Sequence, residues 1–178
     1  MAVEPSRIKS AMTNGKRISV NGATSEIQYY KTMNGRNRLS WEQTAIKLAF
    51  NIAHFRSEDP YVQVGAVIIK HDNSIILGYN GAPPGVEIDW SNRDARRERV
   101  LHAEENVLDA IKFGEAKIFA VTAMPCKRCM RNVAQKGIKK VYYIQELEGY
   151  DNDFAKQLAK EFGIELVKVD LDKMPRLS

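Results

Sequence analysis

Apolar positions recur along the chain with two periods, and the switches between them outline a series of elements. Trp41, Ala45, Leu48, Ala49, Ile52 and Phe55 fall at helical spacing on one face. Ser40-Trp41-Glu42-Gln43 stands in front of them as a capping box, so a helix is predicted from about residue 41. VGAVII (64–69) and SIILGY (74–79) read as strands, and the turn His71-Asp72-Asn73 between them makes a hairpin. NGAPPG (80–85) has two prolines and two glycines and is predicted to be irregular. A polar, arginine-rich segment with no assigned element leads to Val100. From His102 a helix is predicted to Phe113, with Gly114 as its C-terminal stop. KIFAVT (117–122) is a strand, a helix runs from about Cys126 to Gly137, and KVYYI (140–144) is the next strand. Asp151 or Asn152 can cap a helix with Phe154, Leu158 and Phe162 in a stripe and Gly163 at its end, and IELVKV (164–169) is the last strand. The order is α-β-β-α-β-α-β-α-β. Strands joined by helical crossovers should be parallel, which gives an α/β fold, a three-layer α/β/α sandwich around a five-stranded mixed sheet.

Residues 1–40 carry no sustained periodicity and are rich in Ser, Thr, Asn, Gly, Lys and Arg. They are expected to form a polar N-terminal extension, partly disordered or draped on the surface, ahead of a single functional domain at 41–178. Tyr29, Tyr30 and Met33 would let the extension dock on the body or on a neighbouring subunit. The chain has 178 residues, 44% of them hydrophobic, which suits one ordinary domain with a buried core. No run of 18 apolar residues exists and MAVEPSRIKS lacks an apolar signal core, so a cytoplasmic protein without a membrane partner is expected. A net charge of +5 hints at an anionic partner (nucleotide, phosphate or nucleic acid), although solubility alone explains it equally well. The one dense cluster is Arg93, Arg96, Arg97 and Arg99, just before His102.

The chemistry concentrates in VLHAEENVLDAI (100–111) and AMPCKRCMRN (123–132), which hold one of the three histidines and both cysteines of the chain. Cys126 and Cys129, three apart at a helix start, present both sulfurs on one side. The positive end of a helix favours their thiolate forms, and Pro125 suits the helix start. His102 plus two cysteines makes three zinc ligands. A closed structural site needs a fourth, whereas three protein ligands leave a position for water, the form of a catalytic zinc. Glu104, in the turn after His102, is then placed to take a proton from that water and pass it on. A lone C-x-x-C is often a redox pair or half of a zinc knuckle, and a lone histidine at a helix start is often only polar surface. The joint pattern H-x-E…P-C-x-x-C is that of zinc-dependent nucleobase deamination. Glu105 is expected to be solvated or paired with Lys or Arg, and His54 and His71 to be ordinary helix and turn residues.

Together with VGAVII, GYNGAPPG, HAEEN, TAMPCKRC and KGIKKVYY, these motifs resemble the cytidine deaminase superfamily over about residues 41–170, and within it the deoxycytidylate (dCMP) deaminases. GYNG followed by Pro and Gly, and the long segment from there to HAE, are the more specific pieces. AMPC departs from relatives that approach the cysteines with Thr or Ser. Some relatives carry a second, structural zinc, for which this chain has no cysteines. The resemblance implies zinc held by His102, Cys126 and Cys129, one ion per subunit, and Glu104 as proton shuttle in the hydrolysis of dCMP to dUMP and ammonia, which feeds thymidylate synthesis. It implies that the Ala103 backbone N–H holds the pyrimidine carbonyl, that Asn80 contacts the sugar and that Tyr150 stacks on the base, although packing explains Tyr150 as well. It also implies a homohexamer, activated by dCTP with Mg2+ and inhibited by dTTP through the loop of Gly78, Tyr79, Asn80, Gly81 and Gly85, where glycines let backbone amides approach phosphate. The same loop also reads as a simple tight turn. Arg93, Arg96, Arg97 and Arg99 are candidates for the substrate phosphate. Two other functions remain open. A polynucleotide deaminase acting on RNA or single-stranded DNA would use a basic groove with stacking aromatics, but aromatics are only 8% of the chain and nucleic acid is not the expected partner. A non-catalytic zinc module would leave Glu104 without a task.

Overall fold

A computed structural model of the chain describes residues 30–31 and 37–173. Most of the 1–40 extension, including Tyr29 and Met33, and residues 174–178 lie outside the described residues. Strands β1 (Tyr30–Lys31) and β2 (Asn37–Arg38) form a small antiparallel pair of their own.

From Trp41 onward the chain forms a second unit. Its elements are α1 (Trp41–Arg56), β3 (Gly65–Lys70), β4 (Ile75–Tyr79), α2 (Arg93–Arg99), α3 (Ala103–Leu108), β5 (Ala116–Ala123), α4 (Lys127–Gln135), β6 (Lys140–Gln145), α5 (Asn152–Glu161) and β7 (Glu165–Lys168). One five-stranded sheet runs in the order β4-β3-β5-β6-β7. The β3–β4 hairpin and the β3–β5 pair are antiparallel, and β5–β6 and β6–β7 are parallel, so the sheet is mixed as expected. Alternation along β3 assigns its side chains to two cores. Ala66 and Ile68 join Phe119 and Val121 under α3, α4 and α5, while Val67 and Ile69 join Ile118 and Ala120 under α1. These are the three layers of the sandwich. No helix among the described residues is long and apolar enough to cross a membrane.

Five details differ from the sequence expectation. The core face of α1 is Ala45, Ile46, Ala49 and Ala53, whereas Trp41 and Phe55 are exposed. The cause is close approach: a Cβ on Gly65 would lie 2.1 Å from the Ala49 carbonyl oxygen, so β3 and α1 nearly touch and only small side chains fit between them. In the same way α5 buries Ala155 and Ala159, and Phe154 of the predicted stripe is exposed. The helix after His102 ends at Leu108 rather than Phe113, because Phe113 turns out to lie over Gly137, and Gly114, with φ +76°, donates its N–H to the Lys136 carbonyl. Lastly, the arginine-rich segment is itself a helix, α2, started by Asn92, whose side chain accepts the Ala95 N–H, and no residue of α2 is buried. Pro125 stands one residue ahead of the cap of α4 rather than in its first turn.

Candidate active site

His102 is the N-cap of α3, and the chain is fixed just before it by a bridge between Leu101 and Gly81. Cys126 is the N-cap of α4, and Cys129 lies on its first turn. The ligand atoms of His102, Cys126 and Cys129 all lie within 4.8 Å of one another. Tetrahedral zinc, with bonds of about 2.05 Å to nitrogen and 2.3 Å to sulfur, holds N and S ligands roughly 3.6 Å apart. Nδ1 of His102 stands 3.3 Å from Cys129 Sγ and 3.7 Å from Cys126 Sγ, which brackets that separation. Two sulfurs and an imidazole nitrogen at this spacing fit zinc.

The three groups compete for protons. Hydrogen bonding from Cys129, and then from His102, takes the Cys126 thiol down to about 3. The reciprocal interaction with Cys126 and burial push Cys129 well up, and Cys126 raises His102. A divalent cation satisfies all three donors at once, with both sulfurs as thiolates. Glu104 follows on the first turn of α3 and is 4% exposed. Burial raises its carboxyl above the ordinary value, with attraction to His102 opposing.

His102, Ala103, Glu104 and Cys126 open onto a cavity of about 270 Å3, with Cys129 buried behind them. Asn80, Tyr150, Arg93, Arg96 and Arg97 also line it. Asn80 is almost fully engaged: Oδ1 accepts from Val64 N–H at 2.7 Å and Ser57 Oγ at 2.6 Å, and Nδ2 donates to Val62 O at 2.7 Å. Tyr150 lies under the Arg97 guanidinium, 5.3 Å from its ring centre.

The four arginines separate by environment. Arg96 is held by Asp59 (3.4 Å), by the Tyr61 ring (4.4 Å) and by the Trp90 carbonyl (3.4 Å). Arg99 turns back to the Ala95 carbonyl of its own helix and does not line the cavity. Arg93 and Arg97 face the cavity and have no carboxylate partner among the described residues. Of the 78–85 loop, only Asn80 lines the cavity. Gly78 and Tyr79 are paired within β4, and the Asn80, Gly81 and Ala82 amides donate to Val64 O, Leu101 O and the Glu58 carboxylate. A Cβ on Gly78 would meet Val107 and the Ala103 carbonyl, so this glycine serves the packing of β4 on α3, and the amide-cradle geometry expected of the loop is largely taken up within the chain. His54 and His71 are exposed and do not line the cavity, and Glu105 pairs with Arg128.

Sequence reasoning missed Asp59, Leu147, Glu148 and Asn152 in the cavity wall. Asp59 carried a signal: an acidic residue before Pro60, after the end of a helix, is a turn former, and its Oδ1 accepts the Tyr61 and Val62 N–H groups at 2.8 and 3.1 Å.

Residues 39–145 match the family described as the cytidine and deoxycytidylate deaminase zinc-binding region. The chain is similar to ComE operon protein 2 of Bacillus subtilis, with 34% identity over 146 residues, 77% of this chain and 75% of that protein. It is similar to the deoxycytidylate deaminase of Homo sapiens, with 34% identity over 128 residues, 66% of this chain and 71% of that one. Among solved structures, the dCMP deaminase of cyanophage S-TIM5 in complex with dCMP and dUMP superposes with a TM-score of 0.61 at 28% identity, covering 74% of this chain and all of that one (100%).

Proposed function

Because the chain belongs to the cytidine and deoxycytidylate deaminase zinc-binding family, we propose that it hydrolyses dCMP to dUMP and ammonia, with His102, Cys126 and Cys129 holding one zinc ion and Glu104 carrying the proton. The observation that supports this most is the trio of zinc-type donors within 4.8 Å of one another, with Glu104 buried beside it on the same cavity. Bound there, zinc supplies Lewis acidity that lowers the pKa of water to about 7.

The residues divide the remaining work. Glu104 takes one proton of the attacking water and delivers it to the ring nitrogen, then takes the water's second proton, once its oxygen is on the ring carbon, and delivers it to the departing amine. The water oxygen bonds to the ring carbon as the carbon–nitrogen bond breaks, so dCMP and water leave as dUMP and ammonia. A carboxyl whose pKa is raised by burial suits a group that must hold a proton between two transfers. The Ala103 N–H is assigned to the pyrimidine carbonyl. Asn80 keeps one Nδ2 hydrogen beyond its bond to Val62, enough to donate to a sugar oxygen. Tyr150 is assigned to the base. For the phosphate, Arg93 and Arg97 are favoured over Arg96, already paired with Asp59, and Arg99, outside the cavity. Residues 41–178 would carry this activity, with 1–40 as the extension. The finer proposals follow from the family resemblance: a cytoplasmic homohexamer that supplies dUMP for thymidylate synthesis, activated by dCTP with Mg2+ and inhibited by dTTP.

Ammonia release from zinc-loaded protein tests this, with dCMP, CMP, deoxycytidine and dCTP offered in parallel, each with and without dCTP–Mg2+ or dTTP. Turnover of dCMP above the other three is expected, raised by dCTP and suppressed by dTTP. Absence of dCMP turnover overturns the substrate, and turnover blind to both effectors overturns the regulation.

A further inference from the structure

A zinc site tolerates only a few tenths of an ångström in its ligand distances. Here the ligands come from two separate helix starts, His102 at α3 and Cys126 and Cys129 at α4. One carboxylate oxygen connects them. Oε2 of Glu105 accepts the backbone N–H of His102 at 2.9 Å. The same atom accepts Nη2 of Arg128 at 2.9 Å. Arg128 lies between the two cysteines in sequence, on the first turn of α4. The Glu105 side chain is 19% exposed and that of Arg128 46%.

We infer that Glu105 and Arg128 are a positioning pair that sets how tightly the protein holds its zinc, by locking the backbone of the histidine ligand to the helix that carries both cysteines. Neither side chain lines the cavity, so neither is assigned to the substrate. An exposed ion pair that joined two arbitrary surface points would contribute little. This one differs in what it joins, because any slip of α3 against α4 changes the His102–Cys129 and His102–Cys126 distances directly. Groups of this kind, one bond behind a ligand, typically change metal affinity by about 10- to 100-fold when removed.

The inference rests on the zinc-centred reading above, and a double-mutant cycle separates the two. Zinc dissociation constants of wild type, Glu105→Gln, Arg128→Gln and the double variant would be measured by competition with a chromogenic chelator, and melting temperatures of the metal-free proteins alongside. Glutamine at 105 keeps an oxygen for the His102 N–H and removes only the charge. Each single variant should bind zinc about tenfold more weakly, and the double variant no more weakly than the worse single. Arg128→Lys, which keeps a charged donor, should stay within about threefold of wild type. The metal-free melting temperatures should move little. Affinities within twofold of wild type, or losses that simply multiply in the double variant and track the metal-free melting temperature, overturn the inference and leave an ordinary surface pair. Failure of the wild type to bind zinc at all overturns instead the reading on which it rests.

Discussion

Asp59 offers a direct test of how the cavity wall is held. Its carboxylate is 5% exposed and serves three donors, the Tyr61 and Val62 N–H groups through Oδ1 and Arg96 through Oδ2. Asp59→Ala removes the acceptor from all three. Arg96, whose side chain is 11% exposed, keeps only the Trp90 carbonyl and the face of Tyr61. Orphaning one partner of a buried pair costs about 3–5 kcal/mol, and this is the loss of unfolding free energy expected in urea. Asp59→Asn retains an oxygen for the two backbone donors and deletes only the charge, so about 1–2 kcal/mol is expected, and the difference between the variants isolates the turn from the ion pair. A kinetic consequence follows. Because α2 buries no residue, its place over the cavity depends on side-chain contacts such as Arg96 with Asp59 and Tyr61 and Arg97 with Tyr150. Loosening it displaces Arg93 and Arg97 while leaving α3 and α4 alone, so KM for dCMP should rise about tenfold, one charge-assisted hydrogen bond's worth, with kcat nearly unchanged. Equal stability of Asp59→Ala and wild type would refute the energetic argument, and a fall in kcat at constant KM would refute the placement of α2 as a recognition element.

Three further outcomes are expected. Glu104→Gln should lower turnover about 10²- to 10⁴-fold while zinc content by metal analysis stays at wild-type level, and retention of full activity would remove Glu104 from the proton path. Arg93→Ala and Arg97→Ala should each raise KM for dCMP by about 10- to 100-fold without changing the weak turnover of deoxycytidine, and an equal effect on both substrates would mean that neither guanidinium meets the phosphate. Gly65→Ala should lower the melting temperature by several degrees, about 2–4 °C for each kcal/mol, because the new Cβ would stand 2.1 Å from one backbone oxygen and 2.8 Å from the Ala53 nitrogen, neither able to swing away; a melt within 1 °C of wild type would contradict the close approach of α1 to β3.

The strands were legible because each is a short apolar run bounded by turn formers, a local signal that the sheet preserves. The helix faces were harder. The largest side chains of α1 and α5 suggested the buried stripe, yet the separation of helix and sheet decides which sizes fit, and that separation depends on Gly65, Ala49 and Ala53 together. The helix α2 has no apolar stripe, since RDARRER buries nothing, and only its cap Asn92 marked a start. In the site, His102, Glu104, Cys126 and Cys129 were readable because two short motifs contain them. The partition of the arginines was not, because it turns on Asp59 and Tyr61, some thirty-five positions earlier in the chain, which meet Arg96 only after folding.

Strand direction explains why such distant residues converge. β4 and β5 both run antiparallel to β3, and β6 runs parallel to β5, so β4, β5 and β6 all end on one edge of the sheet, where β3 begins. Asn80 follows the end of β4, Cys126 the end of β5, and Tyr150 the end of β6, while Val64 precedes β3. The last registered pair of β5 and β6 is Ala123 with Gln145, and Met124 N–H donates to the Gln145 carbonyl at 2.8 Å, which keeps the two departing segments side by side. The carboxyl edge of parallel strands is where a crevice opens in an α/β sheet. Here that crevice is lined by the starts of α3 and α4 and by α2. The proposed metal ligands and Glu104 therefore sit on elements anchored in the core through Ala103, Val107 and Met130. The groups assigned to the nucleotide sit on α2 and on the segment after β6, neither of which has such an anchor in its recognition residues. Substitutions in the first set should act on turnover, and those in the second on substrate choice.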